Sequence, residues 1–218
     1  MSEERRRGPG RPPRISREQI LDAAFALVAE TGTLVMSDVG QRLGVDGSSI
    51  YRYFRGKGEL VSAMADAFSL PLREELPLTD SWRTDIEVRL RRLERHYRRQ
   101  PAVAMMIMSE TELAGPVLEV IADGVAVLRR SGAAEADVFA AIHALEMIVF
   151  GSIGYDAVGG SEADAIRRNY QRQLGVFDVD TMFPTADDLA EESTSTMWMI
   201  VGGVLDWLER RAVERPAD

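Results

Sequence analysis

Apolar residues in this chain recur at spacings of three and four over most of its length, and almost nowhere do they alternate with polar ones. A period near 3.6 marks amphipathic helices and a period of two marks half-buried strands, so the expected fold class is all-α. The breaks agree. Ser16 followed by Gln19 has the spacing of a capping box, and Ile20, Leu21, Ala24, Phe25, Leu27 and Val28 line one face after it. Gly32 stands where a left-handed stop is wanted, so a first helix is expected over 17–31. Met36, Val39 and Leu43 make a second short stripe closed by Gly44. A third short helix after Asp46 carries Ile50 and Phe54 and ends at Gly56. Leu60, Val61, Met64, Ala65 and Phe68 form a fourth, stopped by Pro71.

Longer helices are expected near 82–99, 102–113, 117–130, 135–157, 163–174 and 187–212. Pro101, Gly115-Pro116, Gly132, Gly159-Gly160 and the stretch from Gly175 to Ala186 separate them. The expected organisation is a basic arm over 1–15, an N-terminal three-helix helix-turn-helix domain over 16–70 and a C-terminal helical bundle over 71–218, with nine to ten helices in all. Val138 to Tyr155 is nearly long enough to cross a bilayer, but Glu146 and His143 near its middle make that costly. We read it as a helix buried on most sides, with no membrane partner.

The formal net charge is −9, which taken whole argues against nucleic acid, yet residues 1–60 carry +2 and the remainder −11. An acidic body repels phosphate, so contact with a polyanion is expected only at the basic end, above all along Arg5 to Arg17. Cysteine is absent, which removes disulfides, thiolate zinc sites and cysteine nucleophiles together. No apolar stretch follows the first arginines, so neither a secretory signal nor a transit peptide is expected and the expected location is cytoplasmic.

The chemistry concentrates in Val39-Gly-Gln-Arg-Leu-Gly-Val-Asp-Gly-Ser-Ser-Ile-Tyr-Arg-Tyr-Phe54, two short helices around a glycine turn. Val39, Leu43, Val45, Ile50 and Phe54 can pack inward, Gly44 allows a positive φ at the turn, and Asp46 can cap the second helix. Gly47, Ser48, Ser49, Tyr51, Arg52 and Tyr53 are left outward, a set of hydroxyls, phenols and a guanidinium suited to base edges and phosphate oxygens. Lys57, the only lysine in the chain, opens the next helix.

Residues 16–70, above all Leu43-Gly-Val-Asp-Gly-Ser-Ser-Ile-Tyr-Arg-Tyr-Phe-Arg-Gly-Lys57, resemble the DNA-binding domain of the TetR family of bacterial transcriptional regulators. The resemblance implies that Ser48, Ser49 and Arg52 face base edges in the major groove and that Tyr51, Tyr53 and Lys57 hold phosphates. Where the family usually caps the second helix with serine or threonine this chain has Val35, with Ser37 two residues on as the remaining hydroxyl. The usual small alanine of that helix is Gly40. Arg11 and Arg14, in a flat basic arm beside Gly10 and Pro12, are read as a minor-groove contact in preference to a solubilising tail.

Beyond residue 70 the layout is similar to the ligand-sensing half of the tetracycline-repressor branch. That implies a homodimer on a double-stranded DNA operator, released by a small-molecule effector. Met197, Val201, Val204 and Leu208 form a stripe beside Gly202-Gly203 that fits either plain core or the dimer interface. Met105, Met106, Met108, Phe139, Met147, Phe150 and Tyr155 fit either core packing or an adaptable pocket with His143 and Glu146 as polar handles. Since the resemblance calls for a cavity in this half, we take them as its lining. The arginines from Arg83 to Arg99 are read as a solvated face. His143 with Glu146 is too little for a metal site or a catalytic base, since the only other histidine is His96. No cofactor, metal or enzymatic activity is expected. The alternative function is a small-molecule sequestering protein with a vestigial helix-turn-helix.

Overall fold

The computed structural model describes residues 15–109, 115–157 and 186–214, and the side chains of all of these but 155–157 and 186–193. The α-helices among them are α1 (Arg17–Thr31), α2 (Met36–Arg42), α3 (Lys57–Ser69), α4 (Trp82–Arg98), α5 (Pro101–Met108), α6 (Pro116–Arg129), α7 (Glu135–Ala157) and α8 (Ala186–Glu214). Two short 3-10 helices, Gly47–Arg52 and Leu70–Arg73, complete the described structure. The fold is all-α. The helix expected over 163–174, the side chain of Tyr155, and Arg11 and Arg14 of the arm lie outside the described residues. The chain divides into two compact units, Met1–Leu60 and Val61–Asp218, so the division falls inside α3 and earlier than Pro71.

In the first unit the elements begin and end for local reasons. Ser16 Oγ accepts from the Gln19 backbone N–H at 3.2 Å, and Gln19 Oε1 accepts from the Ser16 N–H at 2.9 Å, which closes the capping box at the start of α1. Gly32, at φ 68°, ends the helix, its N–H donating to Val28 O at 2.8 Å. Ile20, Ala24 and Val28 of α1, Val39 of α2, and Ile50 and Phe54 are fully buried. Arg42 of α2 grips Glu30 of α1 with two hydrogen bonds of 2.7 and 2.6 Å. This pair is exposed, so it orients more than it stabilises.

In the second unit α7 is the central packing element, lying against α5 and α8 and touching α4 and α6. Glu135–Gly154 is long and apolar enough to cross a membrane by composition. Here its ridge of Val138, Ala141, Leu145, Val149 and Ile153 is spent on neighbouring helices, since each of these is at most 1% exposed. The facing residues of α8 are Met197, Val201, Leu205 and Leu208, all buried. The expected dimer stripe of Met197, Val201, Val204 and Leu208 is therefore intrachain core, with Val204 half-buried at its margin. A single sequence shows the same pattern whether the partner helix is its own or a second copy's.

The arginines of α4 are mostly engaged with neighbouring helices and so are not simply a solvated face, although Arg95 stays exposed. Arg83 meets Asp206 of α8 at 2.6 Å, Arg89 meets Asp123 of α6 at 2.6 Å, and Arg98 donates to Ser152 of α7 at 2.8 Å. Arg91 lies 3.9 Å over the Trp198 ring, whose Nε1–H donates to Glu94. These side chains fasten α4 to three neighbours. At the start of α4, the buried Asp85 carboxylate accepts the Thr79 N–H at 3.0 Å, the Thr79 hydroxyl at 2.8 Å and the Arg130 guanidinium. Burial alone would raise this carboxyl's pKa, but the bonds from Arg130 and Thr79 prevail and hold it below the ordinary 3.8. A depressed native pKa means that the ionised bridge contributes stability above the unfolded pKa and loses it as pH falls through the native one. Asp85→Asn is therefore expected to lower the Tm at neutral pH, and the gap from the native protein should close on the acid side of 3.8. Calorimetric scans across that range check it, and a gap independent of pH would contradict the bridge.

Candidate functional site

Asp46 starts the 3-10 helix by accepting the Ser48 N–H at 2.8 Å, which holds its own carboxyl below the usual carboxylate range. Gly, Ser and Ser follow, poor formers of a longer α-helix, and the turn closes with i→i+3 bonds from Ser49 N–H to Asp46 O (2.8 Å) and Tyr53 N–H to Ile50 O (2.9 Å). A 3-10 helix has three residues per turn, so side chains three apart stack in rows. The row of Gly47, Ile50 and Tyr53 faces inward: Ile50 is fully buried and its two row-mates are half-buried. Ser48 and Tyr51 form an exposed row. In the third row Ser49 is half-buried and Arg52 exposed.

Two expectations change with this period. Tyr53 does not face outward as a free phosphate ligand, because its hydroxyl donates to Ile15 O at 2.5 Å and its carbonyl accepts from Arg17 at 2.6 Å. Gly47 is a contact point with α2: a β-carbon there would meet the Ser37 Cα at 3.5 Å. Arg17 is also withdrawn from the basic surface, since its guanidinium lies 4.0 Å over the Phe54 ring and 3.5 Å from Glu59. Ser37 is exposed on α2 and donates to Asp38 at 3.1 Å, while Val35 at the cap makes no side-chain bond.

The cations left over decide where a polyanion can bind. Among the described residues of the first unit, Arg17, Arg42 and Arg55 have carboxylate partners within the unit, while Arg52 and Lys57 have none and are exposed. Lys57 is the first residue of α3, where unbonded amides add to its charge. Glu59, which accepts the Arg55 N–H at 2.8 Å and is thereby held below its ordinary pKa, fixes the turn between the two cations.

The second unit encloses a cavity of about 120 Å³ between α4, α6, α7 and the segment before α4. Of the expected lining, Met108, Glu146 and Phe150 reach it. Phe139, His143 and Met147 do not. They fall on the outer side of α7, with Phe139 71% and Met147 63% exposed, and Phe139 stacks on His143 with ring planes 4° apart. Met105 is also displaced, its thioether lying against Gly154 of α7. The apolar lining comes instead from Ile86, Leu90 and Leu93 of α4 and from Val117 and Ile121 of α6. Tyr97 and Phe150 form one wall, stacked at 5.7 Å. Tyr97 was legible only as a member of a helix face, and nothing in its spacing ties it to Glu146. Burial and the nearby Glu146 push the Tyr97 hydroxyl pKa up to about 12, and burial raises that of Glu146 against a smaller opposing pull from His143.

Comparison with known proteins agrees with this geometry. Residues 20–64 match the family model described as "Bacterial regulatory proteins, tetR family". The HTH-type transcriptional repressor DrrR1 of Streptomyces coeruleorubidus is 26% identical over 179 residues, covering 81% of this chain, and the chain spans 63% of that curated relative's length. The fold is similar to apo ActR from Streptomyces coelicolor, with a TM-score of 0.72, 17% identity and coverage of 92% and 97% of the two chains. The same organism's TetR family protein ActR in complex with (S)-DNPA gives a TM-score of 0.69, 18% identity and coverage of 92% and 100%. The match to the TetR family model is confined to residues 20–64, and beyond them the likeness is one of fold.

The two tyrosines of the segment separate structure from recognition. Tyr53→Phe is expected to cost about 0.5–1.5 kcal/mol of stability through loss of the bond to Ile15. Tyr51→Phe is expected to leave stability unchanged. Urea denaturation of the full chain measures both, and equal losses would refute the division into inward and outward rows.

Proposed function

We propose that the chain is a ligand-responsive transcriptional repressor that binds a quasi-palindromic operator as a homodimer and leaves it when a small molecule occupies the second unit. The observation that carries this reading is the outward edge of the 3-10 helix. Ser48, Tyr51 and Arg52 project beside Lys57, and the two cations have no carboxylate partner among the described residues of their unit. Arg52, Ser48 and Ser49 read bases, Tyr51 and Lys57 hold phosphates, and Ser37 lies at the flank. Arg11 and Arg14 of the arm take the adjoining minor groove. The repressor name of DrrR1 and the small molecule bound to ActR support the same assignment.

The dimer face is assigned to the outer sides of α7 and α8. These helices run antiparallel, with Arg211 of α8 bonded to Asp137 at the start of α7 at 3.2 Å. They expose Phe139 and Met147 on one and Met199 (70%) and Val213 (82%) on the other. Large apolar groups left in water on two adjoining helices favour a self-complementary partner. In a dimer the two 3-10 helices enter successive major grooves about 34 Å apart. An effector acts by favouring a state in which that separation is wrong, within the limit of its differential affinity for the two states.

Band shifts against the gene's own upstream DNA test the reading. If no duplex is bound more tightly than random DNA at moderate salt, the sequestering alternative takes its place. Arg52→Ala should lose about 1–3 kcal/mol of discrimination at one operator position, whereas Lys57→Ala should weaken all sequences alike and flatten the salt dependence. Phe139→Asp should give a monomer in sedimentation equilibrium and lower operator affinity by about a hundredfold. A dimer surviving that change would exclude this face.

A further inference from the structure

The cavity of the second unit is lined by a carboxylate that accepts no hydrogen bond among the described residues. Five of its lining residues carry polar chemistry that could meet a ligand: Arg89, Arg92, Asp123, Tyr97 and Glu146. The two arginines are already consumed. Arg89 Nε donates to Asp123 at 2.6 Å and its remaining nitrogens donate to Asp85 O at 3.2 Å and Leu76 O at 3.3 Å. Arg92 donates to the Glu74 carboxylate at 2.8 Å, to the Glu74 carbonyl at 2.9 Å and to the Pro71 carbonyl. Asp123 is thereby paired as well. Neither the Glu146 carboxylate nor the Tyr97 hydroxyl has a hydrogen-bond partner among the described residues. His143, three residues before Glu146, is exposed on the outer side of α7.

A half-buried carboxylate without a donor is costly to keep, and a ligand that supplies the donor recovers that cost. The surroundings select the sign of the ligand. Phe150 stacks on Tyr97 in the same wall, and an aromatic face attracts a cation and disfavours an anion. Tyr97 stays a neutral phenol whose oxygen can accept a hydrogen bond beside the carboxylate. The rest of the lining is aliphatic, and the volume of about 120 Å³ suits a single ring.

We propose that this cavity takes a lipophilic amine, its ring among Ile86, Leu90 and Ile121 and its ammonium group between the Glu146 carboxylate and the Tyr97 hydroxyl. This assigns the chemical class of the effector and rests on the cavity being the effector site.

Three probes of matched shape test it in the full-length protein at neutral pH: 2-phenylethylamine, 2-phenylethanol and 3-phenylpropanoate, titrated calorimetrically. The amine should bind at least about tenfold more tightly than the alcohol, the scale of one hydrogen bond to a charged group, and the acid no more tightly than the alcohol. Glu146→Gln should bring the amine-to-alcohol ratio to about one while leaving the alcohol's affinity in place. Retained alcohol binding also shows that this variant folds, and Tyr97→Phe should lower the amine's affinity alone. A native ratio near one, a tighter acid, a ratio unmoved by Glu146→Gln, or no binding by any probe overturns the proposal. Val120 of α6 also lines the cavity, and Val120→Trp, which fills it, separates this failure from failure of the reading beneath it. Binding of all three probes without preference but blocked by Val120→Trp removes only the charge assignment. Binding untouched by Val120→Trp removes the cavity itself as the effector site.

Discussion

Two backbones meet at the helix-turn-helix, and the geometry of the reading edge depends on how closely they do so. A β-carbon at position 40 would stand 3.0 Å from Gly47 Cα, 3.1 Å from its nitrogen and 3.2 Å from Val45 O, atoms that cannot rotate away. With no side chain at 40, α2 and the 3-10 helix touch main chain to main chain. Gly44 at φ 67° turns the chain between them, and Asp46 holds the first amide of the second element. Neither piece is long enough to persist as a helix in water alone. The contact and the buried Ile50 beneath it are what keep Tyr51 and Arg52 aimed away from the protein.

Charge works by subtraction in this molecule. The chain is acidic overall and its described arginines are mostly engaged, with those of α4 fastening that helix to α6, α7 and α8. In the first unit Glu30 and Glu59 occupy Arg42, Arg55 and Arg17. Among the described residues of this unit the remainder is Arg52 and Lys57, both exposed. In a chain otherwise acidic, two such cations favour the approach of a polyanion at their edge, so the overall acidity does not by itself exclude nucleic acid.

Much of this was legible because it is local. The capping box at Ser16 and Gln19, the stop at Gly32 and the cap at Asp46 are each decided within four residues, and the structure places them as their spacing predicts. What was not legible depends on phase or on a distant partner. Reading 47–53 with an α-helical period put Gly47 and Tyr53 outside, whereas a period of three stacks both on buried Ile50. On α7, apolar on nearly every side, residue type carries no phase. Phe139, His143 and Met147 were therefore indistinguishable from Phe150 and Glu146, though only the latter pair reaches the cavity. The stripe of Met197, Val201 and Leu208 looks the same packed on its own α7 as it would on a second copy. The arginines of α4 carried no sign of the acids they meet, because Asp123 and Asp206 lie far along the chain.

A carboxylate that accepts no hydrogen bond among the described residues, inside a lipophilic cavity, also bears on how binding there could be felt elsewhere. A ligand shifts an equilibrium only by the difference in its affinity for the two states, and shape alone yields little difference when a cavity merely swells or shrinks by a fraction of a methyl group. An ammonium–carboxylate contact is steeper. Its strength rises as water is excluded and falls as water enters, so the same pair is worth far more in a closed cavity than in an open one. Glu146 lies on α7, the helix that also turns Phe139 and Met147 to solvent, so a closure organised around its carboxylate would act on the element assigned to the partner subunit. The same residue would then set both what the cavity accepts and how strongly occupancy is transmitted.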